Sequence, residues 1–411
     1  MNNRFLLSGV FTITVAAVTF AAYQNGVFAK TTSITPPVIV DVPQPKPLET
    51  PPLTQRPKVE LVFALDTTGS MSGLINAAKE KIWSIASTMA QANPAPEISI
   101  GLVAYRDRGD AYVTKKIELS QDLDEVYAEL LSLQADGGGD APESVNAALY
   151  DAVHSMNWSQ DPSSYKVVFL VGDAPGHHDY QDDVPFSKTV NAAVKKGIIV
   201  NTIQAGNSPN MIKEWNRIAA LGQGDTFQVD QQGSSLATST PYDEEIATMA
   251  ASYENTRIYY GTDAEQKAQS DRVSITGARI KRTATEASQA RRAKYNISKS
   301  GEKNFIGKNE LLHAIENDEL TLADIPEEEL PTEMRKMSEA EQKIFVDNKI
   351  KERKASKQKL MELTRQRDEY IKSKISKDDK AKSSLDEQLY ATLKKQAEKK
   401  GIDYSESESS Y

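Results

Sequence analysis

From Val59 onward, short apolar runs alternate with segments of helical periodicity, and that alternation leaves few folds open to the chain. Strand-like runs at residues 59–65, 98–104, 167–171, 198–204 and 226–229 are separated by helical patterns at 74–89, 141–156 and 211–221. A chain ordered this way forms a parallel sheet with helices on both faces. The run at 113–119 follows its predecessor with no helix between them, so it is expected as an antiparallel edge strand. The expected fold is therefore α/β: a doubly wound, mostly parallel sheet with one antiparallel edge strand. Near Gly261 the composition turns charged and alanine-rich, and a helical carboxy-terminal region is expected there. Within it, Ser338-Glu339-Ala340-Glu341 spells a capping box that opens a long helix reaching about residue 375. Its apolar residues, among them Ile344, Ile350, Leu360 and Leu363, keep no unbroken heptad. A helix packed along one narrow stripe is expected, with a partner-binding coiled coil as the alternative.

The first apolar run ends on Asp66-Thr67-Thr68-Gly69-Ser70, and a helix opens near Met71. One carboxylate and two hydroxyls then share a tight turn beyond the carboxyl end of a parallel strand, the edge at which open α/β sheets bind ligands. Three small oxygen donors with positions left for water suit Mg²⁺, with Ca²⁺ or Mn²⁺ as alternatives; Zn²⁺ prefers Cys and His. Thr67 falls between the donors by its spacing and is not expected to be a ligand. The competing explanation is that these residues only cap the following helix.

At these residues the chain resembles a von Willebrand factor type A domain, whose metal-ion-dependent adhesion site combines D-x-[ST]-x-S with two later loops. Gly137-Gly138-Gly139-Asp140-Ala141-Pro142-Glu143 resembles the second loop, and Asp173-Ala174-Pro175, after a buried run, resembles the third. The resemblance extends over residues 58–260, about half of the chain. It implies a metal site made by Asp66, Thr68, Ser70, Asp140 and Asp173. It also implies a protein ligand whose exposed acidic side chain completes the Mg²⁺ shell. Where the family commonly has a Thr, this chain has Asp140, which makes the expected site more acidic. Glu143 has two readings: it reaches a metal-bound water, or it is a carboxylate favoured by the dipole of a helix expected over 143–154. Pro142 is expected in that helix's first turn.

Composition narrows the rest. The chain has 411 residues and no cysteine, which excludes disulfides, thiolate metal sites and a cysteine nucleophile. Its formal charge of −9 divides into roughly −11 before residue 262 and +2 after it, a balance that disfavours nucleic acid. Residues 1–29 carry Arg4, an apolar run at 5–22 and Val27-Phe28-Ala29, a pattern that reads as a secretory signal. An uncleaved anchor, giving membrane attachment through this segment alone, is the alternative, because the run reaches the lower limit of about 18 residues for a span. Residues 30–57 are crowded with proline, including Pro36-Pro37, Pro43, Pro45, Pro47 and Pro51-Pro52, and are expected to form a stiff spacer. The expected organisation is thus a leader at 1–29, a linker at 30–57, the α/β domain at 58–260, and a charged helical region at 261–411 with a disordered tail. Arg291-Arg292 and the lysines beyond Lys349 are interspersed with acids and read as helix-surface ion pairs. His177-His178-Asp179 reads as a polar loop, and Arg108-Gly109-Asp110 as a turn between two strands. No serine, histidine and acid set, H-E-x-x-H motif or nucleophile elbow points to catalysis.

The sequence is accordingly that of an exported, periplasmic, envelope or extracellular, metal-dependent protein-binding module rather than an enzyme. The rival is a structural envelope protein whose helical region binds the partner and whose metal only braces the fold.

Overall fold

The computed structural model describes residues 56–139, 141–229, 239–375 and 385–404. The expected leader, nearly all of the linker, Asp140 and the tail at 405–411 lie outside the described residues. Strands β1 (Lys58–Asp66), β2 (Glu97–Tyr105), β3 (Thr114–Ser120), β4 (Tyr165–Gly172), β5 (Ile198–Ala205) and β6 (Gln223–Val229) form one sheet in the order β3-β2-β1-β4-β5-β6. Only the β2–β3 pairing is antiparallel, so residues 114–120 are the edge strand that the missing crossover helix implied. Helices α1 (Ser72–Met89) and α2 (Leu123–Ser132) cover one face, and α3 (Val145–Tyr150), α4 (Phe186–Lys195) and α5 (Pro209–Leu221) cover the other. The period of two sorts β1 between them: Val59, Leu61 and Leu65 join the first core, and Val62 and Ala64 the second. Because both faces are covered, every residue of β4 is buried, which is why it reads as an unbroken apolar run.

The helix expected over 143–154 is shorter. It starts at Val145 and loosens after Tyr150 into a π-helical turn at Asp151–Ser155, so Pro142 lies outside its first turn. Glu143 is kept extended instead: its N–H donates to Pro175 O at 2.9 Å, and its O accepts from His177 N–H at 2.9 Å.

Beyond the sheet lie α6 (Asp243–Glu254), α7 (Asp263–Thr283), α8 (Glu286–Ile297), α9 (Glu302–Ile306), α10 (Leu311–Glu316), α11 (Glu339–Ile375) and α12 (Leu385–Glu398). Ser338 N–H donates to Glu341 Oε2 at 2.8 Å, and Glu341 N–H donates back to Ser338 Oγ at 3.4 Å, the reciprocal cap that fixes where α11 starts. The stripe that α11 buries runs through Gln342, Val346, Arg353, Leu360, Leu363, Arg367 and Ile371, against α6, α8 and α10. This region shares the first core of the sheet. Trp83 of α1 packs on Tyr127 of α2 and Tyr295 of α8, with ring centroids 5.3 and 5.7 Å away. Leu389, Leu393 and Ala397 of α12 return to the same core, and Tyr404 Oη donates to Met89 O at 3.1 Å. Arg291 and Arg292 are buried rather than part of a surface pattern: Arg291 pairs with Glu80 of α1 and Arg292 with Asp124 of α2. Among the described residues no helix is long and apolar enough to cross a membrane.

Candidate functional site

The strand order reverses direction about β1 and β4, and the connections on either side leave toward opposite faces: α1 after β1, α4 after β4. At such a switch point the loops diverge and open a crevice at the carboxyl edge. Register brings three strand ends level there, with Asp66 opposite Tyr105 and Leu65 opposite Val171.

Asp66 is fully buried. Its Oδ1 accepts from Thr68 N–H at 2.9 Å and from Thr68 Oγ1 at 2.7 Å, which fixes the turn. Ser70 Oγ lies 3.4 Å from Thr68 Oγ1, and Ser70 is exposed. The other carboxylate oxygen, Asp66 Oδ2, is buried and has no hydrogen-bond partner among the described residues. Burial pushes the Asp66 carboxyl up to about 7; the two Thr68 bonds oppose the shift, and the nearby charge of Asp173 adds to it. Asp66, Thr68, Ser70 and Asp173 are thus brought together at the crevice, whereas Asp140 falls outside the described residues. Thr67 turns toward β2 and the β2–β3 loop, its Oγ1 donating to Tyr105 O at 3.0 Å and lying 2.8 Å from Tyr112 Oη.

The second loop closes directly over this turn. Gly69 N–H donates to Gly137 O at 3.1 Å. Gly138 has φ +74°, and a Cβ on it would fall 2.8 Å from Thr68 Cβ and 3.4 Å from Glu143 Oε1. The left-handed backbone and the closeness of Thr68 both favour glycine here. Glu143 lies just before the N-cap of α3, Ser144, rather than in the helix's first turn. It is 3% exposed, and its Oε2 has no hydrogen-bond partner among the described residues. Burial, followed by the charges of Asp66, Asp107, Asp110 and Asp173, raises its carboxyl to about 8.

The β2–β3 loop supports the glycines. Asp110 accepts from Gly138 N–H at 3.1 and 3.3 Å, while Arg108 pairs with Asp182 at 2.9 Å and Asp183 at 2.7 Å and lies over the Tyr180 ring. Arg108-Gly109-Asp110 is therefore a turn whose acid faces inward. The His177 ring stacks on Tyr180 at 4.2 Å; its Nδ1 lies 2.7 Å from Asp179 Oδ1 and its Nε2 3.4 Å from Asp107 Oδ2, close enough for ion pairing but not aligned for a hydrogen bond. His178 pairs with Glu214 of α5 at 3.0 Å. Sequence reasoning missed Asp107 and Asp110 as supports. The signal available for them was position, since they follow β2 at the edge that β1 reaches in register.

Among the described residues no three His, Cys, Asp or Glu side chains are grouped to hold a metal ion. The donor set at the crevice is of another kind: two hydroxyls, Asp173 and a buried carboxyl oxygen of Asp66 with no hydrogen-bond partner among the described residues. Such hard oxygen donors fit a Mg²⁺-type cation and not a zinc site.

Residues 60–231 match the family model of the von Willebrand factor A domain. Curated relatives include an ariadne-like RING finger protein of Acanthamoeba polyphaga mimivirus, 27% identical over 36% of this chain and 14% of that protein. Another is the alpha-protein kinase vwkA of Dictyostelium discoideum, 30% identical over 31% and 21%. A third is von Willebrand factor A domain-containing protein 7 of Rattus norvegicus, 39% identical over 23% and 10%. The chain spans at most 21% of the length of these relatives. Among solved structures, the SpRpn10 VWA domain is 12% identical, covering 44% of this chain and 95% of that one, with a TM-score of 0.34. The pilus adhesin SpaC from Lactobacillus rhamnosus GG is 13% identical, covering 43% and 28%, with a TM-score of 0.33.

Proposed function

Residues 60–231 being a von Willebrand factor A domain, a protein-interaction module, we propose that the protein is exported and binds a protein partner through a divalent cation held by Asp66, Thr68, Ser70 and Asp173. The observation that carries this reading is Asp66 Oδ2, a carboxyl oxygen buried without a hydrogen-bond partner beside two hydroxyls. Leaving such a group unmatched is costly, and a cation offsets the cost. When bound, Mg²⁺ supplies an open coordination position for an exposed acidic side chain on the partner. Asp66 anchors the turn through Oδ1 and offers Oδ2, Thr68 and Ser70 present hydroxyls, and Asp173 brings a second charge from the end of β4. The signal-like pattern at residues 1–29 supports export. Binding rather than catalysis is assigned.

Calorimetric melting in Mg²⁺ and in EDTA tests the reading. Binding linkage gives about 2.7 kcal/mol of added stability at a hundredfold excess over Kd, and Asp66→Ala should abolish it. An equal Mg²⁺ response in wild type and variant would remove the site. Partner capture from the native envelope that survives EDTA would move binding to the helical region.

A further inference from the structure

We propose that the von Willebrand factor A domain of this chain is closed by residues 385–404, and that residues 239–375 are an insert carried between its last strand and its last helix. This does not depend on the cation site.

Three observations converge on it. First, the helix that follows β6 does not return to the sheet. Helix α6 turns Ile246, Ala250 and Tyr253 toward α8, α9 and α11, in a core that holds no strand residue. The first face of β5 and β6 is covered from much farther along the chain. Leu389, Leu393 and Ala397 of α12, with Ile402 and Tyr404 beyond it, share one core with Ile203, Ala205, Phe227 and Val229.

Second, the strands carry buried polar groups that α12 matches. Tyr165 on β4 and Asn201 on β5 are fully buried. Tyr165 Oη donates to Gln396 Oε1 at 2.8 Å, and the Asn201 and Gln396 amides exchange two hydrogen bonds, at 2.9 and 3.2 Å. An apolar residue at position 396 would leave Tyr165 Oη and Asn201 Nδ2 without these partners inside the core, and unmatched buried groups of this kind are costly.

Third, α12 runs in the direction that a closing helix needs. Leu389 borders one cavity with Leu65, Val171 and Ile203, toward the carboxyl ends of β1, β4 and β5, whereas Gln396 meets Tyr165 at the start of β4. The helix therefore passes from the carboxyl ends of the strands back toward their amino ends, the course of a helix that directly follows a parallel strand. The segment beyond it is latched to the end of α1 and the turn after it: Asp403 O accepts from Asn93 N–H at 2.9 Å, and Tyr404 Oη donates to Met89 O at 3.1 Å.

The insert is thus tied to the sheet at both of its ends, at β6 and at α12. A region held at two points moves with the domain that carries it, whereas a domain on a single linker is free to swing.

Two measurements on the full chain test this. A specific protease site placed within residues 376–384 allows the folded protein to be cut ahead of α12, and size exclusion reads whether the segment from 385 onward stays with the rest. It should co-elute. In the second, hydrogen exchange read by mass spectrometry, Leu393→Ala should speed exchange at least about tenfold in β5 and β6, and less in α6 and α11. Loss of the segment from the cut wild-type protein overturns the proposal. So does exchange that rises as much in α6 and α11 as in β5 and β6, or that rises in neither strand. The cleavage arm needs no substitution in α12, so it decides the matter even where Leu393→Ala fails to fold.

Discussion

Glu310 and Asp243 lie in the helical region and are as deeply buried as Asp66 and Glu143 at the sheet edge, yet the two pairs of acids are treated differently. Glu310 accepts from Arg353 at 2.9 and 2.7 Å as well as from the N–H groups of Ile258 and His313, and Asp243 accepts from Arg367 Nε at 2.8 Å and from Thr240. Asp124 is bound through both oxygens by Arg292, each bond 2.6 Å long. At the edge, Asp66 and Glu143 each keep an oxygen without a donor among the described residues. A buried charge is tolerated when it is paired and hydrogen-bonded. Arginines of the helical region pair with these acids, Arg292 tying α8 to α2 and Arg353 and Arg367 tying α11 to Glu310 and Asp243. At the edge neither Asp66 Oδ2 nor Glu143 Oε2 has such a partner among the described residues.

The strongest way to break this contrast is to unpair an acid in the helical region. Arg353→Met leaves Glu310, whose side chain is fully buried, without its guanidinium. The expected loss is about 3–5 kcal/mol, read by urea denaturation, and the same in Mg²⁺ and EDTA. Adding Glu310→Gln should recover part of it. A loss below about 1 kcal/mol would mean that the pair behaves like a surface bridge and that the contrast has no energetic content.

At the edge, Gly138→Ala forces a Cβ against Thr68 and into a left-handed conformation. It should cost about 1–3 kcal/mol and, unlike Arg353→Met, should also reduce the Mg²⁺ response in melting. A variant that loses stability but keeps the full response would separate the glycine from the site.

A gentler effect, spread over several pH units, sharpens the comparison without mutation. In EDTA the folded protein holds protons on Asp66 and Glu143 up to about 7 and 8, while the unfolded chain releases them near the ordinary values of 3.8 and 4.5. Both groups have raised folded pKa values, so their contribution is fully present below about pH 4 and is lost as pH rises through 7 to 8. Melting in EDTA should show this decline, and saturating Mg²⁺ should flatten it. The same profile with and without cation would indicate that the two carboxylates do not see the metal.

Local pattern made much of the molecule legible. Runs bounded by turns gave the strand positions, the missing crossover helix gave the antiparallel edge, and Ser338 with Glu341 gave the start of α11, because each signal lies within a few residues of its consequence. Asp66, Thr68 and Ser70 were legible for the same reason, sharing a single turn. Helices α2, α4 and α6 escaped because their apolar faces are short. Glu143 was misplaced because its neighbours look like the start of a helix, and only the bridge to Gly176 holds it extended.

What the sequence determined by itself is the α/β order, the oxygen-rich turn after β1 and the helical character of the second half. All three follow from periodicity and from donors adjacent in the chain. What only the tertiary structure decided is which charges are matched. Arg292 meets Asp124 across 168 positions and Arg353 meets Glu310 across 43, distances at which helical spacing carries no information. Asp66 and Glu143 come together through the same long-range folding, but among the described residues no arginine hydrogen-bonds to either carboxylate. The difference between a buried acid that meets an arginine and one that keeps an unpartnered oxygen is set by what lies opposite it in space, and that is fixed only when distant segments pack.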